Sequence, residues 1–191
     1  MDYHDYLKIA GGVMALLLFI PLIYSIFKEG MESQSCATWF LWGLLDTVLT
    51  ISVIEQHGNF YLPLGFTIGD VLLVIFLLVK GRFHWGLFET GILAMVIACM
   101  IGWKLAGPKL VTVSATLGIC AAGMPGLLAM WKHPQRKVGN VWGGYILANA
   151  LSFFGGTAMT IEERFAPGVF TLCAVVMFAA SRKPRPADEA A

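Results

Sequence analysis

Two aspartates stand where a charge is hard to keep. In FLWGLLDTVLT, residues 40 to 50, Asp46 interrupts a run that is otherwise apolar apart from two threonines, and in TIGDVLLVIF Asp70 is placed the same way, with Thr67 about one turn before it. In a bilayer such a carboxylate costs about 2.5 to 3.5 kcal/mol on insertion scales, so the chain must offset it or use it. Asp46 could receive a cationic or hydrogen-bond-donating group. Asp70 is suited to proton coupling, because a low dielectric disfavours the charged form and lets a carboxyl load and release a proton. The plainer alternative for each is a protonated carboxyl hydrogen-bonded to a neighbouring helix.

The surroundings of Asp46 repeat later in the chain. Trp39, Trp42 and Asp46 are spaced i, i+3, i+7, which places them on one helical face, and Trp142, Tyr145, Asn149 and Ser152 form a matching face. Polar groups in a bilayer turn towards the bundle interior. The candidate solute-binding residues are therefore Asp46, Asn149, Trp42, Tyr145, Ser152, Thr67 and Thr171, with Asp70 and Asp46 as candidates for proton coupling. Trp39 and Trp142, at span ends, fit a headgroup belt equally well.

Other chemistries find little support. His4, His57, His84 and His133 fall in loops or at span ends, no HxxxH array occurs, and no nucleophile sits beside a base, so an enzyme is not expected. Cys36, Cys99, Cys120 and Cys173 are scattered without a CxxC, which reads as small core residues rather than a metal site or disulfide framework. No metal or other cofactor is expected. A retinal protein would need a lysine in the last span, and residues 165 to 181 contain none.

These residues must be positioned by membrane-spanning helices. Of 191 residues 58% are hydrophobic and 13% charged, against about 25% charged in a soluble domain, and the mean hydropathy is +0.74. A net charge of +1 without a basic block argues against nucleic acid as a partner. Apolar runs near the ~20 residues needed to cross a bilayer fall at 9 to 27, 37 to 54, 62 to 79, 84 to 103, 110 to 131, 140 to 157 and 165 to 181. Seven helices are expected. The start, MDYHDYLKIA, is acidic where a secretory signal is basic, so the first run should remain as a span.

Lysine and arginine orient the chain. Lys28, Lys80, Arg82, Lys132, Arg136, Lys137, Arg182, Lys183 and Arg185 fall on one side, against Lys8, Lys104, Lys109 and Arg164 on the other. By the positive-inside rule the N-terminus lies outside and the C-terminus in the cytoplasm, as in a bacterial-type inner (plasma) membrane. The tail, residues 182 to 191, is rich in charge and proline and reads as disordered.

The seven runs also contain an internal repeat. Pro21 and Lys28 match Pro125 and Lys132, and Pro63, Phe66 and Thr67 match Pro167, Phe170 and Thr171, all at an offset of 104. Between them Trp39, Trp42 and Asp46 match Trp142, Tyr145 and Asn149 at an offset of 103. Asp70 faces Ala174 and has no acidic mate. The expected fold is all-α: two parallel three-helix repeats, 1 to 83 and 110 to 181, joined by a linker helix within 84 to 109. The odd linker gives both triplets one orientation, related by an axis along the membrane normal.

This plan resembles the PQ-loop and SWEET superfamily of small transporters, over nearly all of residues 9 to 181. The family's Pro-Gln pair is Pro21-Leu22 and Pro125-Gly126 here, while Ser33 and Ser35 resemble the serine-bearing loop of its first repeat. SWEET sugar carriers place an asparagine about five residues after the proline of each third helix; Ile68 and Leu172 stand there, which speaks against a sugar. The resemblance implies a carrier of a small polar solute working by alternating access, with Pro21, Pro63, Pro125 and Pro167 as hinges and proton coupling as an addition. The alternative is a membrane receptor or assembly subunit on the same scaffold, similar to the KDEL receptors. A protein partner or homo-oligomer is compatible with either.

Overall fold

The computed structural model describes residues 1–29, 36–80 and 85–184, with backbone alone for 25–29. Ser33, Ser35, Arg82, Phe83, His84, Arg185 and nearly all of the polar tail lie outside the described residues. Among the described residues the chain is helical throughout, without a strand.

Helix α1 (Tyr3–Leu17) starts earlier than its apolar run because Asp2 and Asp5 form a reciprocal cap. Asp5 N–H donates to Asp2 Oδ1 at 2.9 Å and Asp2 N–H to Asp5 Oδ2 at 3.1 Å. That backbone donor holds the Asp2 carboxyl below the usual carboxylate range. The run breaks at Leu18 and continues as α2 (Phe19–Glu29). Pro21 explains the break: it has no N–H to offer the Leu17 carbonyl.

Next come α3 (Cys36–Glu55), α4 (Tyr61–Val79) and α5 (Leu87–Ala106). The α5 helix lies three residues later than its apolar run, for local reasons. Gly86 N–H donates to Glu89 Oε2 at 2.9 Å and fixes the start. Gly107, at φ 82, ends it in a conformation that favours glycine and leads into Pro108. Helices α6 (Pro108–Ala122) and α7 (Met124–Lys132) are one run broken at Gly123, where Pro125 has no donor for the Ala121 carbonyl. Helix α8 (Arg136–Gly155), a π-helical turn (Ile161–Phe165) and α9 (Ala166–Arg182) complete the chain. Pro63 and Pro167 fall in the first turns of α4 and α9, where an N–H would go unused in any case.

Six of these runs are long and apolar enough to cross a membrane: Tyr3–Tyr24, Cys36–Glu55, Tyr61–Val79, Leu87–Ala106, Pro108–Lys132 and Ile161–Arg182. The seventh, α8, has 20 residues but carries Arg136, Lys137, Asn140, Asn149 and several glycines, which lower its hydropathy. Its neighbours compensate, since α1 and α9 pack along it. Large apolar side chains such as Ile20, Val71, Ile75, Leu117 and Leu172 point outward, as expected where lipid is the solvent.

Six helices close a ring in the order α1, α4, α3, α6, α9, α8, with each packed on the next and α8 back on α1. Helix α5 lies outside it against α3 and α6. Glycines set the closest approaches. A Cβ on Gly65 would run into the Gly12 carbonyl oxygen, and one on Gly11 would stand 2.8 Å from the Ala148 carbonyl oxygen. Helix α1 can therefore press against α4 and α8 at once, the small-residue packing that membrane helices use. Gly69, Gly139 and Gly143 lie against Phe19, Ser181 and Phe178.

Candidate functional site

Asp46 and Asp70 lie midway along α3 and α4, and both are buried, at 4% and 2% exposure. Gly43 makes their meeting possible. A Cβ added there would stand 3.2 Å from the Cβ of Asp70, a tight contact, so glycine lets Asp70 come close against α3 one turn before Asp46. The two carboxyls meet side chain to side chain. Neither Asp46 Oδ1 nor Asp70 Oδ2 has a hydrogen-bond partner. Two carboxyl oxygens in contact need a donor between them, either a proton held by one of the pair or an N–H or O–H from elsewhere.

Aromatic rings surround the pair. Tyr145, midway along α8 and buried, lies 5.5 Å from the Phe66 ring, 5.6 Å from Trp142 and 6.2 Å from Phe19, centroid to centroid. Both carboxyls act on it electrostatically. Trp42 lies one turn before Asp46, with its ring 4.6 Å from that of Trp39 and its edge against Gly123. Tyr145 Oη, Trp42 Nε1 and, one turn beyond Tyr145, Asn149 Oδ1 are buried without a partner. A buried polar atom left unpaired costs about 1 to 3 kcal/mol, so five such atoms on three helices need an explanation.

The remaining expected site residues are engaged elsewhere. Thr67 Oγ1 pairs with Thr50 Oγ1 at 3.1 Å, while Thr50 donates to the Asp46 carbonyl at 2.7 Å. Ser152 accepts from Asn59 Nδ2 at 2.9 Å through both its carbonyl and its hydroxyl. Thr171 donates to the Pro167 carbonyl of its own helix at 2.7 Å. Thr67 thus joins α4 to α3, Ser152 joins α8 to Asn59, and Thr171 closes onto its own helix.

Other polar contacts fasten the ends of the bundle. Lys8 Nζ lies 3.1 Å from Glu163 Oε2 and donates to Glu163 Oε1 at 3.3 Å, with both residues buried. Thr157 N–H donates to Glu163 Oε2 at 3.3 Å. The adjacent Glu162 accepts from Asn59 N–H through its carbonyl at 3.1 Å and faces Lys109 at 4.0 Å. Arg164 donates to the Gly156 and Ala158 carbonyls. Sequence reasoning placed these charges in loops and missed the latch. Its signal was the acidic IEERF segment before the last helix, close in depth to Lys8. At the opposite end Glu89 is buried: it accepts from Thr38 Oγ1 at 2.8 Å and caps α5.

Two of the scattered cysteines converge. Cys173 Sγ lies 2.9 Å from Cys120 Sγ, and both are free thiols, where α9 meets α6. Among the described residues no three His, Cys, Asp or Glu side chains group closely enough to hold a metal ion.

Comparison with known proteins finds no matching family model, no similar curated protein and no similar solved structure.

Proposed function

We propose that this chain is a membrane carrier which binds a small polar solute beside Asp46 and Asp70 and moves it by alternating access between two three-helix repeats. The observation that carries this is the meeting of two buried acids midway through the bundle, with unpartnered polar atoms around them. A purely structural pair would be expected to find donors within the protein.

The ring order supports the duplicated plan. If α1 with α2, α3 and α4 form one triplet and α6 with α7, α8 and α9 the other, each stacks its first helix on its third and its third on its second. The two joints between triplets, α1 on α8 and α3 on α6, then interchange under the same exchange. Helix α5 takes the linker position. This plan resembles that of the PQ-loop and SWEET superfamily, and the Lys and Arg imbalance favours an N-terminus outside and a C-terminus in the cytoplasm of a bacterial-type inner membrane.

Alternating access needs weak points, and the breaks at Leu18 and Gly123, each followed by a proline, lie in the two first helices. Proton coupling would use the donor that the Asp46–Asp70 contact requires. Counterflow in proteoliposomes tests the carrier: uptake of a labelled solute by the wild type, lost in Asp46→Asn, is expected. Uptake that is independent of pH and unchanged in Asp70→Asn would remove the proton step. Absence of counterflow together with stoichiometric copurification of a protein partner would favour a receptor or assembly subunit.

A further inference from the structure

We infer, on the reading of these helices as a solute carrier, that the solute is an organic amine or ammonium without a carboxylate or phosphate. Three features of the site converge on that class.

The first is the balance of donors and acceptors. Of the five unpartnered atoms at the site, Asp46 Oδ1, Asp70 Oδ2 and Asn149 Oδ1 only accept hydrogen bonds when the acids are ionised, Tyr145 Oη can do either, and Trp42 Nε1 only donates. A ligand that completes the site is rich in donors. A single proton between the two acids serves that pair and leaves Tyr145 and Asn149 as they are, whereas an ammonium brings up to three N–H groups to one place. The lone donor, Trp42, adds a requirement for one neutral acceptor on the ligand, such as a hydroxyl.

The second is charge. No Lys, Arg or His occurs at residues 37 to 54, 62 to 79, 110 to 131, 140 to 157 or 165 to 181, so the interior offers two acids and no counter-charge for an anionic group. A carboxylate or phosphate on the solute would face Asp46 and Asp70 with nothing to balance it. Free amino acids are excluded on the same ground.

The third is the wall. Trp42 with Trp39, and Tyr145 with Phe66, form close ring pairs on the helices that carry the acids and on α8, and a cation over the face of such a ring is attracted by its quadrupole.

The test is ligand binding to the full-length chain in detergent, followed by thermal melting and tryptophan fluorescence. The probes are benzylamine and choline against benzyl alcohol and benzoate. The expected result is saturable binding of at least one amine, none of the alcohol or the acid at equal concentration, and at least tenfold weaker amine binding in Asp46→Asn. Tyr145→Phe keeps the ring and the fold, and is expected to weaken the amine by a few-fold, so the inference stays testable if Asp46→Asn misfolds. Binding of the alcohol as tight as that of the amines, amine binding unchanged in both variants, or no amine binding would overturn it. Counterflow separates the two proposals. Amine binding without counterflow would uphold the ligand class and sink the carrier, and counterflow of a neutral solute without amine binding would do the reverse.

Discussion

Glu163 and the Asp46–Asp70 pair are both buried acid sites, and they are built in opposite ways. Glu163 has a donor on each oxygen, from Lys8 and from the Thr157 amide. Glu89, at the other end, likewise accepts from Thr38 and from Gly86. Asp46 and Asp70 face each other, and each keeps an oxygen without a partner. An acid whose hydrogen bonds are complete holds helices together and has nothing left to offer. One whose bonds are incomplete is kept for something that arrives. The two fully bonded acids stand at the ends of the bundle and the incomplete pair in its middle, although Asn59 Oδ1 and Glu162 Oε2 near the Lys8 end are also buried without a hydrogen-bond partner; on the proposed reading the middle is the part that binds.

Mutations can break or sharpen that contrast. The largest effect on stability is expected from Glu163→Ala, which leaves Lys8 buried and unpaired; breaking a buried pair on one side costs about 3 to 5 kcal/mol, read as a lower melting temperature in detergent. Gly65→Ala comes next, at about 1 to 3 kcal/mol, because the new methyl meets the Gly12 backbone rather than a side chain that can move aside. Ser152→Ala removes one of two acceptors for Asn59 and should cost about 0.5 to 1.5 kcal/mol. The double change Asp46→Asn with Asp70→Asn should alter stability least, by under about 1 kcal/mol, since two facing acceptors gain donors while neither shape nor volume changes. A melting temperature lowered as far as in Glu163→Ala would count against it.

Much of this architecture was legible because bilayer thickness and the lack of water dictate long apolar runs. The run from 37 to 54 lies inside Cys36–Glu55, and that from 62 to 79 inside Tyr61–Val79. The helix breaks were foreshadowed by Pro21 and Pro125. Faces were legible too, since Trp42 and Asp46 share one and Tyr145 and Asn149 another. Which faces meet was not. Asp46 and Asn149 were matched as repeat partners, yet Asp46 meets Asp70 on the adjacent helix beside Gly43, and a missing side chain leaves no periodic trace. The Lys8–Glu163 pair and the Cys120–Cys173 contact join residues far apart in the chain, and nothing in either local stretch names its partner. Ser152, Thr67 and Thr171 looked like site residues because hydroxyls in a membrane face inward. Each instead serves a backbone or a neighbouring side chain, which hydrophobic patterning does not distinguish.

The central claim is that the middle of the bundle binds and its ends fasten. The most direct measurement compares Asp46→Asn/Asp70→Asn with Glu163→Gln for melting temperature and amine binding in the same detergent. The account predicts a crossover: the double variant melts within about 1 kcal/mol of wild type and binds no amine, while Glu163→Gln melts lower and binds as wild type does. A double variant that melts lower than Glu163→Gln and still binds amine would contradict it.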